Sequence, residues 1–335
     1  MKMPAADLST FTQERIDPWL TLTLAAMSLS AYDDYDREII VPPPGYRMAA
    51  RWTGWDEVIF GLGSEERFGV LFQATAPAEL GTYIFAFRGT YTYLDLLEGP
   101  WVNTVPFVPY QGQVSPVPSV ASGFYSIYND RGGSMTQSMR EQLFSLIDRF
   151  QPKKVYLTGH SLGGALAQLF ALDLAVSRPQ VWAANLDFAT PMVGLSNWRQ
   201  AYESQPAQRD PERKTVRVYN YWDEVPSLPS SWLGYVDVGR GFRTSFYVDR
   251  IDWPIYESEM HSMLNLQAVL QRAVWLNPQI WVGTFQDALD PRLEMKSDVP
   301  PSGPDVDWAA KMRELRQFQQ AILESNAVPE AFARG

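Results

Sequence analysis

Residues 155–167 read VYLTGHSLGGALA, an apolar run that ends in a glycine-flanked serine and restarts at once with a different period. Lys154–Thr158 has the branched and aromatic texture of a strand. After the serine, Leu162, Ala165, Leu166, Leu169, Phe170 and Leu174 keep helical spacing until Ser177-Arg178-Pro179. Gly159 and Gly163 stand two residues to either side of Ser161. Where a strand turns this sharply into a helix, a side chain at either glycine would strike the neighbouring strand or helix. Gly164 adds a small position where helix and sheet approach. A strand, a tight turn and a covering helix in that order point to a parallel sheet with helices on its faces.

The rest of the chain fits that class. Strand-like stretches precede the turn at Val58–Leu62, Phe68–Thr75 and Thr82–Phe87, and follow it at Leu186–Thr190, Thr215–Tyr219 and Tyr235–Val238. Helical spacing is present at 19–32 and at about 134–150, where Met139, Leu143, Leu146 and Ile147 share a side. The expected fold is α/β, a mostly parallel central sheet flanked by helices. Residues 1–275 form one domain in this reading. Residues 276–335 are a C-terminal extension, with a linker bracketed by Pro291, Pro300, Pro301 and Pro304. A helix at 307–326 then carries an apolar stripe of Trp308, Met312, Leu315, Phe318 and Ile322, read as packing back on the same domain. Residues 99–120 are rich in proline and aromatics without helical period, as functional covers often are.

Composition removes several classes of function. Hydrophobic residues make up 46% and charged ones 20%, which suits a globular chain with a sizeable core. A net charge of −10 disfavours nucleic acid as a partner. Without cysteine there is no disulfide and no thiolate chemistry. The first eighteen residues lack the basic end and apolar run of a signal peptide. The apolar stretch 19–32 is too short to span a bilayer, so no transmembrane segment is expected. The expectation is a cytoplasmic protein, with leaderless secretion as the alternative.

Ser161 sits where a helix N-terminus would present free N–H groups to a developing negative charge. A serine hydroxyl needs a base, and the chain has only two histidines. His160 precedes Ser161 directly, so its side chain should point away from that hydroxyl. The base is then His261, in SEMHSMLNL. A serine turn between strand and helix resembles that of the α/β-hydrolases, whose chain order is serine, acid, histidine; that resemblance implies an orienting carboxylate between 162 and 260. Asp223, in VRVYNYWDEVPSLP, follows a strand and precedes a proline turn; Glu224 is the alternative. This chemistry requires His261 within hydrogen-bond reach of both Ser161 and Asp223. The acidic run YDDYD at 32–36 lacks the spacing of a calcium loop, and no metal or other cofactor is expected.

From about Ala25 to Val274 the chain resembles the class 3 (fungal-type) triacylglycerol lipases of the α/β-hydrolase superfamily. The resemblance rests on AAMSLSAY (25–32), FAFRGT (85–90), SGFY (122–125), GHSLGGALA (159–167), FATPMVG (188–194), NYWDEVPSLP (220–229) and MHSM (260–263), in that order. It implies an α/β-hydrolase fold with a lid, Ser161 as nucleophile, Asp223 as acid and His261 as base. It implies an oxyanion hole from the backbone N–H groups of Thr90 and Leu162. The implied lid is YTYLDLLE (91–98), with Tyr91, Tyr93, Leu94, Leu96 and Leu97 against substrate. His160 becomes an elbow residue packed near the sheet edge. Ala121 and Asp237 stand where relatives commonly carry histidine, at positions read as structural. The resemblance implies an ester or lipid substrate at a lipid–water interface and no cofactor. A triacylglycerol lipase or carboxylesterase leads, with phospholipase A-type or feruloyl (aryl) esterase activity as alternatives and a non-catalytic binding protein as the contrasting class.

Overall fold

Thr82–Phe87 is buried at every position, which requires a strand covered on both faces. Phe85 and Phe87 enter one apolar cluster while Ile84 and Ala86 enter a second, the period of two that separates the faces of a sheet. A computed structural model of the protein describes residues 14–37, 40–56, 63–90, 102–220, 223, 225–229, 231–244, 260–276 and 281–283. In chain order its elements are β1 (Glu14–Ile16), α1 (Pro18–Arg37), β2 (Tyr46–Asp56), β3 (Ser64–Ala74), β4 (Thr82–Phe87), β5 (Thr104–Pro106) and β6 (Ser119–Ala121). There follow α2 (Ser122–Asn129), α3 (Met139–Phe150), β7 (Lys154–Gly159), α4 (Leu162–Ser177), β8 (Trp182–Phe188) and α5 (Ser196–Glu203). The described chain closes with β9 (Val216–Asn220), β10 (Arg240–Thr244), α6 (Met263–Leu276) and β11 (Trp281–Gly283).

Among the described residues the main sheet has seven strands, in the order β10-β9-β8-β7-β4-β3-β2. The strands from β4 through β7, β8 and β9 to β10 pair in parallel, and β3 and β2 extend the sheet antiparallel. One face is covered by α2, α3 and α4, with Phe124, Met139, Leu143 and Leu166 packed on Phe85, Phe87 and Leu157. The other is covered by α1 and α6, with Leu24, Met27, Val269 and Leu270 packed on Ile84, Phe188 and Val218. This is the α/β-hydrolase architecture expected, a mostly parallel central sheet flanked by helices. Among the described residues no helix is long and apolar enough to cross a membrane.

The structure corrects several local expectations. Val58–Leu62 and the helix at 307–326 lie outside the described residues. The strand before Phe68 that is described is β2, whose register shifts at Met48/Ala50 and Trp52/Thr53 hide it from an alternation count. Tyr235–Val238 is not a strand: Val236 makes one bridge to Gly194, and the outermost strand is the polar RGFRT of β10. The helix expected from 134 begins at Met139, because Ser138 and Glu141 form a reciprocal capping box that fixes its start. In the extension, Trp281–Gly283 pairs antiparallel with Glu14–Ile16.

The described part of the proline-rich segment is a fastened strap. β5 pairs with β6, and Tyr110 stacks on Phe144 with ring centroids 4.4 Å apart. Asp173 Oδ1 accepts from Tyr110 N at 2.6 Å and from Ser177 Oγ at 2.9 Å, while Asp173 Oδ2 accepts from Tyr128 Oη at 2.8 Å. The strap therefore buries a polar side of α4 that a lone amphipathic helix would turn to water. Replacing Asp173 by Ala leaves the buried Tyr128 hydroxyl and the Tyr110 N–H without this acceptor, while Ser177 Oγ keeps the Gln111 carbonyl. We expect a loss of about 3 kcal/mol or more in urea unfolding, whereas a helix face that tolerated water would lose almost nothing.

Candidate active site

β7 is the fourth of the seven strands and has a parallel neighbour on each side, so the turn that leaves its C-terminal end opens at the centre of the sheet. Ser161 takes φ 57° and ψ −128°, a conformation a side chain adopts only when its surroundings impose it. Two glycines allow the turn to close. A Cβ on Gly159 would sit 2.4 Å from the Gly163 backbone, and one on Gly163 would sit 2.3 Å from the Phe87 carbonyl oxygen. Ser161 N donates to the carbonyl oxygen of Phe188, at the end of the adjacent β8, at 2.9 Å. Ser161 is fully buried, and among the described residues its Oγ makes no hydrogen bond.

Asp223 follows β9, the second strand along from β7, in a turn where its own N–H donates to Asn220 O at 3.2 Å. Its Oδ1 accepts from Val225 N at 3.0 Å, and its Oδ2 accepts from His261 Nδ1 at 2.7 Å. Burial raises the Asp223 pKa above the usual carboxylate value, and His261 and the Val225 N–H act against that rise. His261 stands just before α6. Asn220 Nδ2 donates to the carbonyl of the preceding residue, Met260, at 3.1 Å. The expected Asp223–His261 contact is therefore made. The expected direct bond from Ser161 to His261 is not formed, and such bonds are commonly long until substrate is bound.

Both ring nitrogens of His160 are bonded to groups other than the Ser161 hydroxyl, and the residue follows the central strand β7 rather than a lateral edge of the sheet. It is 4% exposed, with its ring centroid 4.5 Å from that of His261. Its Nε2 meets the His261 carbonyl oxygen at 2.8 Å and its Nδ1 meets Tyr32 Oη at 2.8 Å. A carbonyl only accepts, so Nε2 carries the proton and Nδ1 accepts from the tyrosine. Burial, and then His261 nearby, push the His160 pKa well below its ordinary value, so the ring is neutral.

The Gly89–Thr90 turn is pressed against the elbow. A Cβ on Gly89 would lie 2.2 Å from Tyr32 Oη, 2.6 Å from His160 O and 3.2 Å from Ser161 Cβ. Thr90 follows it, buried. Leu162 is the first residue of α4, so its N–H has no acceptor within the helix. Arg88 holds the turn from behind: its Nη1 donates to Gly89 O at 2.9 Å and its Nε to Arg67 O at 2.8 Å, with the guanidinium over the Tyr35 ring. Tyr91, Tyr93, Leu94, Leu96, Leu97 and Glu224 lie outside the described residues.

Sequence reasoning did not single out Tyr32, Arg88 or Asn220, although they stand in the runs AAMSLSAY, FAFRGT and NYWDEVPSLP. It also missed a buried acid under the elbow. Asp187 accepts from Thr190 Oγ1 at 2.7 Å, Asn185 Nδ2 at 2.7 Å and Gln168 Nε2 at 3.0 Å. Thr190 in turn packs on Gly164, where a Cβ would come within 1.9 Å of Oγ1.

Comparison with known proteins gives these features a family context. Residues 84–232 match the family model described as lipase (class 3). A protein of Oryza sativa subsp. indica named phospholipase A1-II 3 is 30% identical over 227 residues, covering 60% of this chain and 50% of its own. Phospholipase A(1) DAD1, chloroplastic, of Arabidopsis thaliana is 31% identical over 156 residues, covering 44% and 33%. The chain thus spans about half or less of the length of the curated relatives it matches. Among solved structures, Lip2 lipase from Yarrowia lipolytica aligns with a TM-score of 0.55 at 18% identity, over 74% of this chain and 86% of that one. Lipase II from Rhizopus niveus aligns with a TM-score of 0.53 at 17% identity, over 86% and 93%. At these identities the two structures speak for the shared fold.

Burial lifts the Asp187 pKa from 3.8 to about 6, against the pull of its hydrogen bonds. The folded state then binds more protons than the unfolded one between those values, so stability falls as pH rises through that window. The total is about 3 kcal/mol, of which about half falls between pH 5 and pH 8. Urea unfolding of wild type and Asp187→Asn at those two pH values should show the variant gaining on wild type at pH 8 by that half. A gap that does not change with pH would contradict the assignment.

Proposed function

Taking residues 84–232 as a class 3 lipase segment, we propose that the chain is a serine hydrolase of carboxylic esters, acting on acyl esters of glycerolipids through an acyl-enzyme. The observation that carries this reading is the 2.7 Å contact of His261 Nδ1 with Asp223 Oδ2, the His261 ring lying 4.5 Å from that of His160, which directly precedes a serine held at φ 57°. With Nδ1–H committed to the carboxylate, the proton of Ser161 Oγ passes to Nε2 as the oxygen attacks the ester carbonyl carbon. The oxyanion that forms is met by the N–H groups of Thr90 and Leu162. Collapse breaks the ester C–O bond, and the leaving alcohol takes the proton back from His261. Water then attacks the acyl-serine by the same route, releasing the fatty acid and restoring Ser161. Asp223 holds the ring in the required tautomer and stabilises the imidazolium in both halves.

One observation favours a second reading within this chemistry, hydrolysis of an acyl ester in a phospholipid. The matched rice and Arabidopsis proteins carry phospholipase A1 names. The net charge of −10 gives no help in reaching an anionic surface, so a zwitterionic lipid is the fitting probe.

The test is hydrolysis of a triglyceride, a phosphatidylcholine and a soluble aryl ester by wild type and variants. Ser161→Ala should lower turnover by ~10⁶-fold and Asp223→Asn by ~10⁴-fold, while Glu224→Gln stays close to wild type. The preferred lipid of the panel decides between the two readings. Turnover that survives Ser161→Ala would overturn both.

A further inference from the structure

The contact between His160 and the base has no part in the proton path just described. His160 is covalently joined to Ser161, and its Nε2–H reaches the His261 carbonyl at 2.8 Å. It therefore links the backbone of the nucleophile to the backbone of the base without using a reacting atom of either. On the other side of the ring, Tyr32 comes from α1, on the sheet face opposite α4, and donates to Nδ1 at 2.8 Å. The same Tyr32 oxygen lies where a side chain on Gly89 would go, so it also abuts the turn that carries Thr90. One tyrosine hydroxyl thus touches the elbow histidine and the oxyanion turn, and the elbow histidine touches the base.

We propose that Tyr32 and His160 are a positioning pair that sets the spacing between Ser161 and His261 through the base's own carbonyl; this rests on the function proposed above. The base is then fixed at three points: its Nδ1 on Asp223, its carbonyl on His160, and the preceding carbonyl on Asn220. The chemistry of the position is demanding. The group must donate toward the carbonyl, accept from Tyr32, and stay uncharged beside an imidazole that becomes cationic during the reaction. A neutral histidine in a buried site does all three. A lysine could not accept, and a leucine could do neither.

The consequence is a loss of rate without a loss of binding. With a soluble aryl ester as probe, His160→Leu should lower kcat by ~10²-fold, the scale of a 1 Å misplacement, with KM within about twofold. His160→Gln should recover most of that loss, because its amide Nε2 can still donate to the His261 carbonyl. Tyr32→Phe keeps the ring and removes only the hydroxyl, so it reports even if His160→Leu fails to fold; it should lower kcat by ~10-fold. The proton resonance of the His261–Asp223 hydrogen bond should broaden in Tyr32→Phe and in His160→Leu and persist in His160→Gln. A kcat for Tyr32→Phe and His160→Leu within about twofold of wild type overturns the proposal, as does an equal loss in His160→Gln and His160→Leu. Wild type without Ser161-dependent turnover contradicts the proposed function itself, and this inference with it. A Ser161-dependent wild type with indifferent variants overturns the inference alone.

Discussion

The backbone of Ser161, at φ 57° and ψ −128°, is the constraint on which the rest of this structure turns. A conformation of that kind costs about 1–3 kcal/mol and survives only where the surroundings leave no alternative. Here they leave none. The residue before it continues a strand enclosed by parallel neighbours, and the residue after it begins a helix buried along nearly its whole length. Gly163 lies against the Phe87 carbonyl and Gly164 against Thr190, an approach of helix to sheet that no larger residue at either position would allow. Burial of large apolar side chains on both faces of the sheet supplies the stabilisation that offsets the strain.

The parallel order of the strands then decides what can gather around that serine. β7, β8 and β9 all end on the same side, so the turns that follow them converge although they are far apart in sequence. Asp223 comes from the end of β9, the Gly89–Thr90 turn from the end of β4, and His261 arrives ahead of a helix on the opposite face. Side chains outside the proposed proton path fasten these pieces together: Arg88 behind the turn, Asn220 on the Met260 carbonyl, and Tyr32 with His160 between the elbow and His261.

The elbow and the parallel sheet were legible because each follows from a local rule, glycines where backbones touch and helical or alternating spacing; the order serine, acid, histidine came only with the resemblance to α/β-hydrolases. What escaped reading is non-local. β2 breaks its own alternation with register shifts, and β10 is a polar strand at the sheet's edge, where only pairing reveals it. Asp173 and Asp187 look like surface acids in sequence, yet each is fully buried and satisfied by partners from distant or turned segments. In sequence His160 reads as pointing away from the hydroxyl of the serine it precedes, which says nothing about a carbonyl 101 residues away. Tyr32 reads in sequence as the end of a helix, and its hydroxyl acquires meaning only when that helix crosses behind the elbow.

The central claim is that Ser161 is activated by His261 and Asp223 in this arrangement. The most direct measurement is labelling of the folded protein with a fluorophosphonate, followed by mass-spectrometric mapping of the adduct. The account predicts one adduct per chain, on Ser161, formed rapidly in wild type and lost when His261 is replaced by Ala. An unlabelled serine in folded wild-type protein, or an adduct on Ser161 that forms equally fast without His261, would contradict it.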